Sequence, residues 1–210
     1  MVNTHSSADT VVVLDFETTG LSPNYGDRAI EIGAVKLVNG EITGRFQRLM
    51  NPGMRINSFI ESYTGITNHM LSDAPPCEEV MRDFSDFIQD FNLVAHNASF
   101  DARFLASELD RINCHQIVSF ACSMLAARRV YPEAPNHKLA TLVSYKALPN
   151  DGTFHRALAD AEMTAHLWIS MLKDIQQSHA FREIRFNMMQ KLSRIPKIGV
   201  SRFLKQQCAE

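Results

Sequence analysis

The sequence lacks most of what a redox, secreted or membrane protein needs. It has 4 cysteines in 210 residues. Cys77, Cys114, Cys122 and Cys208 form no C-x-x-C pair, and none stands with histidine at zinc-finger spacing. A thioredoxin-like motif and a small disulfide scaffold are excluded, and a reducing, intracellular, cytoplasmic setting is expected. No apolar run approaches the roughly 20 residues of a membrane-spanning helix. The polar stretch Met1 to Asp9 has no apolar signal core. An excess of one charge is missing too: 21 Lys and Arg against 23 Asp and Glu leave a formal net charge of -2. The whole molecule is therefore no polycation, and a nucleic-acid partner would need a local basic patch. There is no phosphate-binding glycine loop of either common type, no cysteine nucleophile signature, no internal repeat and no low-complexity segment.

What is present is an ordinary globular composition, 45% hydrophobic and 21% charged. The length suits one domain with a sizeable core and an extension. Residues 1–9 read as a flexible arm. Thr10 to Phe16 reads as a strand buried on both faces, because Val11 to Leu14 is uninterrupted and apolar. Leu21 to Asp27 is rich in turn formers. Ala29 to Val38 and Ile42 to Met50 continue an antiparallel meander through a turn at Gly40. Asn51 to Pro76 reads as irregular, followed by a helix from Cys77 with Val80, Phe84, Phe87 and Ile88 at helical spacing. A short strand at Leu93 to Ala95, a helix from Phe100 to Leu109 and a strand at Ile117 to Ala121 come next. Helices are expected at Cys122 to Tyr131 and Lys138 to Tyr145. From about Ala157 to Lys173, Leu158, Ala161, Ala165, Trp168 and Leu172 alternate steps of three and four, a buried helical stripe. The order predicts an α/β fold with a mixed sheet. Residues 175–210 read as a basic, partly helical extension: seven basic residues lie between Arg182 and Lys205, with Glu183 the only acid. A solvated tail, a phosphate-gripping arm and a segment docked on the core are all compatible with that pattern.

Three stretches carry chemistry. Asp15 and Glu17 lie one residue apart in a strand and so point to one face, where two buried anions repel unless a cation or protons intervene. His96-Asn-Ala-Ser-Phe-Asp101 opens a helix, and Asp101 could be no more than a first-turn carboxylate. His155-Arg-Ala-Leu-Ala-Asp160 opens the last core helix, with Asp160 at the border of the buried stripe. Four carboxylates and one histidine suit a two-metal site. Carboxylate oxygens favour Mg²⁺ or Mn²⁺, and two such ions about 3.5–4 Å apart can clamp both oxygens of a phosphodiester displacement. A histidine there can accept a proton from water. Tyr63, set in a polar segment, is either a packing residue or a face on which a base stacks.

Asp15-x-Glu17-Thr-Thr-Gly-Leu, His96-Asn-Ala-Ser-Phe-Asp101 and His155-x-x-x-x-Asp160, in that order, resemble the DEDDh (DnaQ-like) 3′–5′ exonucleases. That group includes the proofreading subunit of bacterial replicative polymerase and RNase T. The resemblance covers about residues 10–174 and implies a ribonuclease H-like exonuclease fold with helices on both faces of the sheet. It implies hydrolysis of nucleic acid from the 3′ end to 5′-mononucleotides. Asp15, Glu17 and Asp160 would hold one divalent cation, Asp15 and Asp101 the second, and His155 would be the general base. Phe16 and Thr18 would hold the terminal sugar through their backbone, Leu21 and Tyr63 would pack on the terminal base, and His96, Asn97 and Phe100 would line the pocket. DNA is the favoured substrate, as single strands or frayed ends. RNA trimming is the alternative within enzymes, and a non-catalytic binding module the alternative outside them. A homodimer or a polymerase or repair partner is compatible with the resemblance.

Overall fold

Consecutive β-branched residues start the chain's central strand, β1 (Val11–Thr18), which has neighbours on both sides and packed layers above and below. The computed structural model describes residues 7–150, 152 and 155–208. After β1 the chain turns back through β2 (Ala29–Val38) and β3 (Glu41–Leu49), both antiparallel to their neighbours. Next come α1 (Ser58–Thr64), α2 (Asn68–Ser72) and α3 (Cys77–Ile88). β4 (Leu93–Ala95) lies parallel to β1, α4 (Ser99–Arg111) follows, and β5 (Phe120–Cys122) lies parallel to β4. The remaining helices are α5 (Ser123–Val130), α6 (Leu139–Tyr145), α7 (Ala157–His179), α8 (Phe186–Leu192) and α9 (Val200–Cys208). The sheet order is β3-β2-β1-β4-β5. This is the α/β architecture expected: a mixed sheet, three antiparallel strands first, helices on both faces.

Strand alternation sorts two cores. Val12, Leu14 and Phe16 of β1 join Ile32 and Ala34 of β2 beneath α3 and α4, around Phe84 and Phe104. Val11 and Val13 join Val35 and Leu37 on the other side, beneath α5 and α7, around Trp168. Continuing that second alternation brings Asp15 opposite Gly33 and Glu17 opposite Glu31 on the face that α7 covers.

The helix α7 can start there because residue 33 is glycine. A Cβ on Gly33 would overlap the backbone of Ala157 and Leu158. The first turn of α7 thus rests on the sheet backbone, one strand away from Asp15.

The structure corrects two expectations. Asn51 to Pro76 holds two short helices rather than irregular chain, each started by a side chain that caps it: Asn57 Oδ1 accepts from Ile60 N at 3.0 Å and Thr67 Oγ1 from Met70 N at 3.2 Å. The fifth strand sits three residues later than Ile117, whose side chain is exposed, because pairing with β4 sets its place from Phe120. Residues 1–6 and 209–210 lie outside the described residues, but Ser7 to Asp9 are held. Ala8 is fully buried, its N–H donates to Ile184 O and its carbonyl accepts from Trp168 Nε1, both at 2.7 Å. At the other end α7 runs past residue 174, and Phe186, Met188, Met189, Leu192 and Leu204 join the Trp168 core. The basic side chains of 182–205 therefore lie on and between helices whose apolar residues pack into the Trp168 core.

Gly33→Ala is expected to destabilise the protein by about 1–3 kcal/mol or more, the cost of overpacking an interior contact. Gly44→Ala on β3, whose added Cβ would meet Phe87 at an ordinary 3.5 Å, is expected to be near neutral. Urea denaturation of both variants checks the contrast.

Candidate active site

The site lies where β1 outruns its neighbour. β4 pairs with Val12 and Val13 of β1 and ends at Ala95. Beyond that point the β4-facing N–H groups of β1 need other acceptors. Asp101, in the first turn of α4, supplies one: its Oδ1 accepts from Phe16 N at 3.2 Å. That bond ties a carboxylate that is 2% exposed to the strand bearing Asp15 and Glu17.

From the other face α7 delivers Asp160. Its Oδ2 accepts the His155 backbone N–H at 3.0 Å. His155 takes a left-handed φ of 60°, a conformation uncommon outside glycine but one that histidine adopts more readily than most residues. Potential ligand atoms of Glu17, His155 and Asp160 all lie within 4.8 Å of one another. The Tyr63 ring packs against the His155 ring, centroids 4.1 Å apart. Tyr63 lies in the last turn of α1, not in a loop.

An ion pair sets the entry of α7. Arg156 donates through Nε to Glu31 Oε2 at 3.2 Å and through Nη2 to Glu31 Oε1 at 2.9 Å. The Ala157 N–H also donates to Glu31, and Gln47 Nε2 donates from β3. Glu31 is fully buried beside Glu17. Sequence reasoning missed both members. The signal was there: a single acid inside the apolar stretch 29–35 of β2 needs a buried partner.

The carboxylates crowd one another. Burial, and then the charges of Asp101, Asp160, Glu17 and Glu31, push the Asp15 carboxyl well above its usual range. Burial, then Asp160 and Glu31, push Glu17 up to about 8 against the opposing pull of Arg156. Burial pushes Asp101 up to about 7 although backbone N–H groups oppose it. Burial raises Asp160 as well. Four carboxylates that cannot all ionise together, beside an imidazole, are the donor set of a hard divalent cation such as Mg²⁺ or Mn²⁺. The residues present fit that group.

The remaining sequence-predicted residues divide. Phe16 enters through its N–H, its ring lying in the opposite core. Thr18 is buried and its hydroxyl donates to Gly20 O at 2.6 Å. Leu21 is 80% exposed on the loop after β1. Asn97 is exposed at φ 70°. His96 is held on both ring nitrogens, by Ser123 Oγ at 2.8 Å and His137 O at 3.0 Å, and burial pulls its pKa down to about 4. Phe100 packs on Phe104 at the edge of the core around Phe84. The structure thus gathers Asp15, Glu17, Asp101, Asp160, His155 and Tyr63, while His96 and Phe100 meet mainly protein.

A family model described as exonuclease matches residues 12–168. The PolC-type DNA polymerase III of Bacillus subtilis is 44% identical over 169 residues, covering 79% of this chain. That of Caldanaerobacter subterraneus is 38% identical over 194 residues, covering 90%. The chain spans only 12–14% of the length of these relatives. Among solved structures, exonuclease X in complex with 5′ overhanging duplex DNA superposes with a TM-score of 0.66 at 25% identity, covering 87% of this chain and 99% of that one. The nuclease domain of a DEDDh family member bound to rAMP gives 0.66 at 22% identity, covering 79% and 92%, a likeness of fold. The sheet and helices described above are those of the ribonuclease H-like exonuclease fold.

Glu17 has a pKa raised on folding from 4.5 to about 8. Its contribution to stability is whole below pH 4.5 and is lost as the pH rises through 8; the other raised carboxylates act with the same sign. Thermal melts in chelator are therefore expected to fall between pH 5 and pH 8. Added Mg²⁺ should restore the midpoint most at pH 8, and Glu17→Gln should weaken the fall.

Proposed function

The chain belongs to the exonuclease family, as a DnaQ-like 3′–5′ exonuclease of the DEDDh type, and we propose that its substrate is DNA, entered at single-stranded or frayed 3′ ends. The observation that carries the reading is the convergence of Asp15, Glu17, Asp101 and Asp160 on His155 at the end of β1. Asp15, Glu17 and Asp160 would hold one divalent cation, and Asp101, with Asp15, would hold a second. When bound, such cations neutralise the phosphodiester and lower the pKa of water. The rest falls to the chain. His155 takes the proton from the water that attacks phosphorus, and Asp160 fixes its backbone. The P–O3′ bond to the preceding nucleotide breaks, its oxygen regains a proton, and a 5′-mononucleotide leaves. Phe16 and Thr18 backbone atoms face the terminal sugar, and Leu21 and Tyr63 flank the base. DNA is favoured over RNA because the curated relatives are named DNA polymerases. The same names support a replicative or repair partner for this chain. No helix among the described residues is long and apolar enough to cross a membrane, which is compatible with a cytoplasmic setting.

Digestion of 5′-labelled single-stranded DNA and RNA of one sequence tests this. A ladder shrinking from the 3′ end with Mg²⁺ or Mn²⁺, lost in EDTA and faster on DNA, is expected. Asp15→Asn is expected to abolish turnover with folding intact. His155→Ala is expected to lower the rate about 10²–10⁴-fold near neutral pH, the usual contribution of a general base. Faster cleavage of RNA would reassign the substrate, and full activity in Asp15→Asn would refute the metal assignment.

A further inference from the structure

We propose that Phe59 holds the nucleobase next to the 3′-terminal one, so that the chain grips two unpaired bases of a single strand. This rests on the exonuclease reading above and adds a second base subsite to it. Phe59 and Tyr63 are one helical turn apart on α1, and such residues lie on the same face. Their rings are stacked at 5.7 Å with 13° between planes. Tyr63 in turn meets the His155 ring at 4.1 Å. Three rings therefore form a row that begins in the carboxylate cluster and ends in water.

The open end of that row is Phe59, 69% exposed, while Tyr63 is 50% exposed. A base cannot enter between the two rings. Stacked planes lie about 3.4 Å apart, so an inserted base would need close to 7 Å, more than the 5.7 Å present. The outer face and edge of Phe59 remain for it. The platform is fixed from beneath: Ile60 packs with Ile30, Ile56, Ile66 and Leu71. Glu61 accepts from both nitrogens of Asn68, at 2.7 and 2.8 Å. Gly65 ends the helix at φ 72°. A phenylalanine placed for core packing would be on the Ile60 side; this one is aimed at solvent beside the site. Base–aromatic stacking contributes about 1–3 kcal/mol and accepts every base, since each has a π-face. It also requires the base to be unpaired. A recessed duplex end must then open two base pairs rather than one.

The test compares Phe59→Ala and Phe59→Trp with the wild type on two substrates. One is a single-stranded DNA oligonucleotide and the other is thymidine 5′-(p-nitrophenyl) phosphate, which carries one base only. With Phe59→Ala, KM for the oligonucleotide is expected to rise about 5- to 100-fold, the equivalent of one lost stacking contact. kcat should stay within about twofold, and the effect should be confined to the substrate with a second base. Phe59→Trp should hold KM at or below the wild-type value. An unchanged oligonucleotide KM in Phe59→Ala overturns the subsite. So does an equal loss on both substrates, which would mean that Phe59 acts through Tyr63 and His155. A wild-type chain that cleaves neither substrate overturns the exonuclease reading itself, a result distinct from a silent variant of an active enzyme.

Discussion

Like charges forced together at the end of β1 are the constraint on which the rest of the structure depends. Asp15, Glu17, Asp101 and Asp160 each have a pKa raised by burial, and for Asp15 and Glu17 by their neighbours' charges. Left to itself such a cluster would push its elements apart. The fold holds them with contacts beyond the four carboxylates: α7 lies directly on the Gly33 backbone, Arg156 grips Glu31 and offsets part of the charge on Glu17, and the Trp168 core continues the packing away from the site. The enzyme-like geometry is thus stored in the scaffold, ready for a cation to relieve it.

The two cores divide this labour. The side around Phe84 and Phe104 carries α4 and with it Asp101; the side around Trp168 carries α7 and with it Asp160. β1 is the element that belongs to both, because alternate residues face opposite ways. The segment beyond residue 174 is part of the second side. Its apolar residues Phe186, Met189 and Leu192 close the layer over α5 and α7, and Ile184 holds the backbone of Ala8. Basic residues in that segment are spread over a structural layer, which accounts for their scattered rather than clustered order.

Much of the fold could be read in advance where a pattern was long. The apolar run of β1, the meander and the stripe of α7 each extend far enough for periodicity to choose between strand and helix. The three motifs announced the site because one face of a strand and two helix starts are local facts. What escaped was short or distant. The helices α1 and α2 have seven and five residues, too few for a periodic signal, and only their caps, Asn57 and Thr67, mark them. The Glu31–Arg156 pair joins residues far apart in sequence, and no local pattern reports who will meet a buried acid. The hold on Ser7 and Ala8 depends on Ile184, Arg185 and Trp168, all far along the chain.

Asp101 serves the backbone as well as the site, because its carboxylate is the acceptor for Phe16 N where β4 has ended. Architecture and chemistry therefore share one carboxylate. A lineage that gives up hydrolysis cannot discard this side chain freely: alanine would orphan a buried N–H, whereas asparagine would keep the acceptor and drop the charge. Loss of activity thus has a preferred route through the fold, and a descendant that survives as a mere binding scaffold should carry the amide here as the mark of its ancestry.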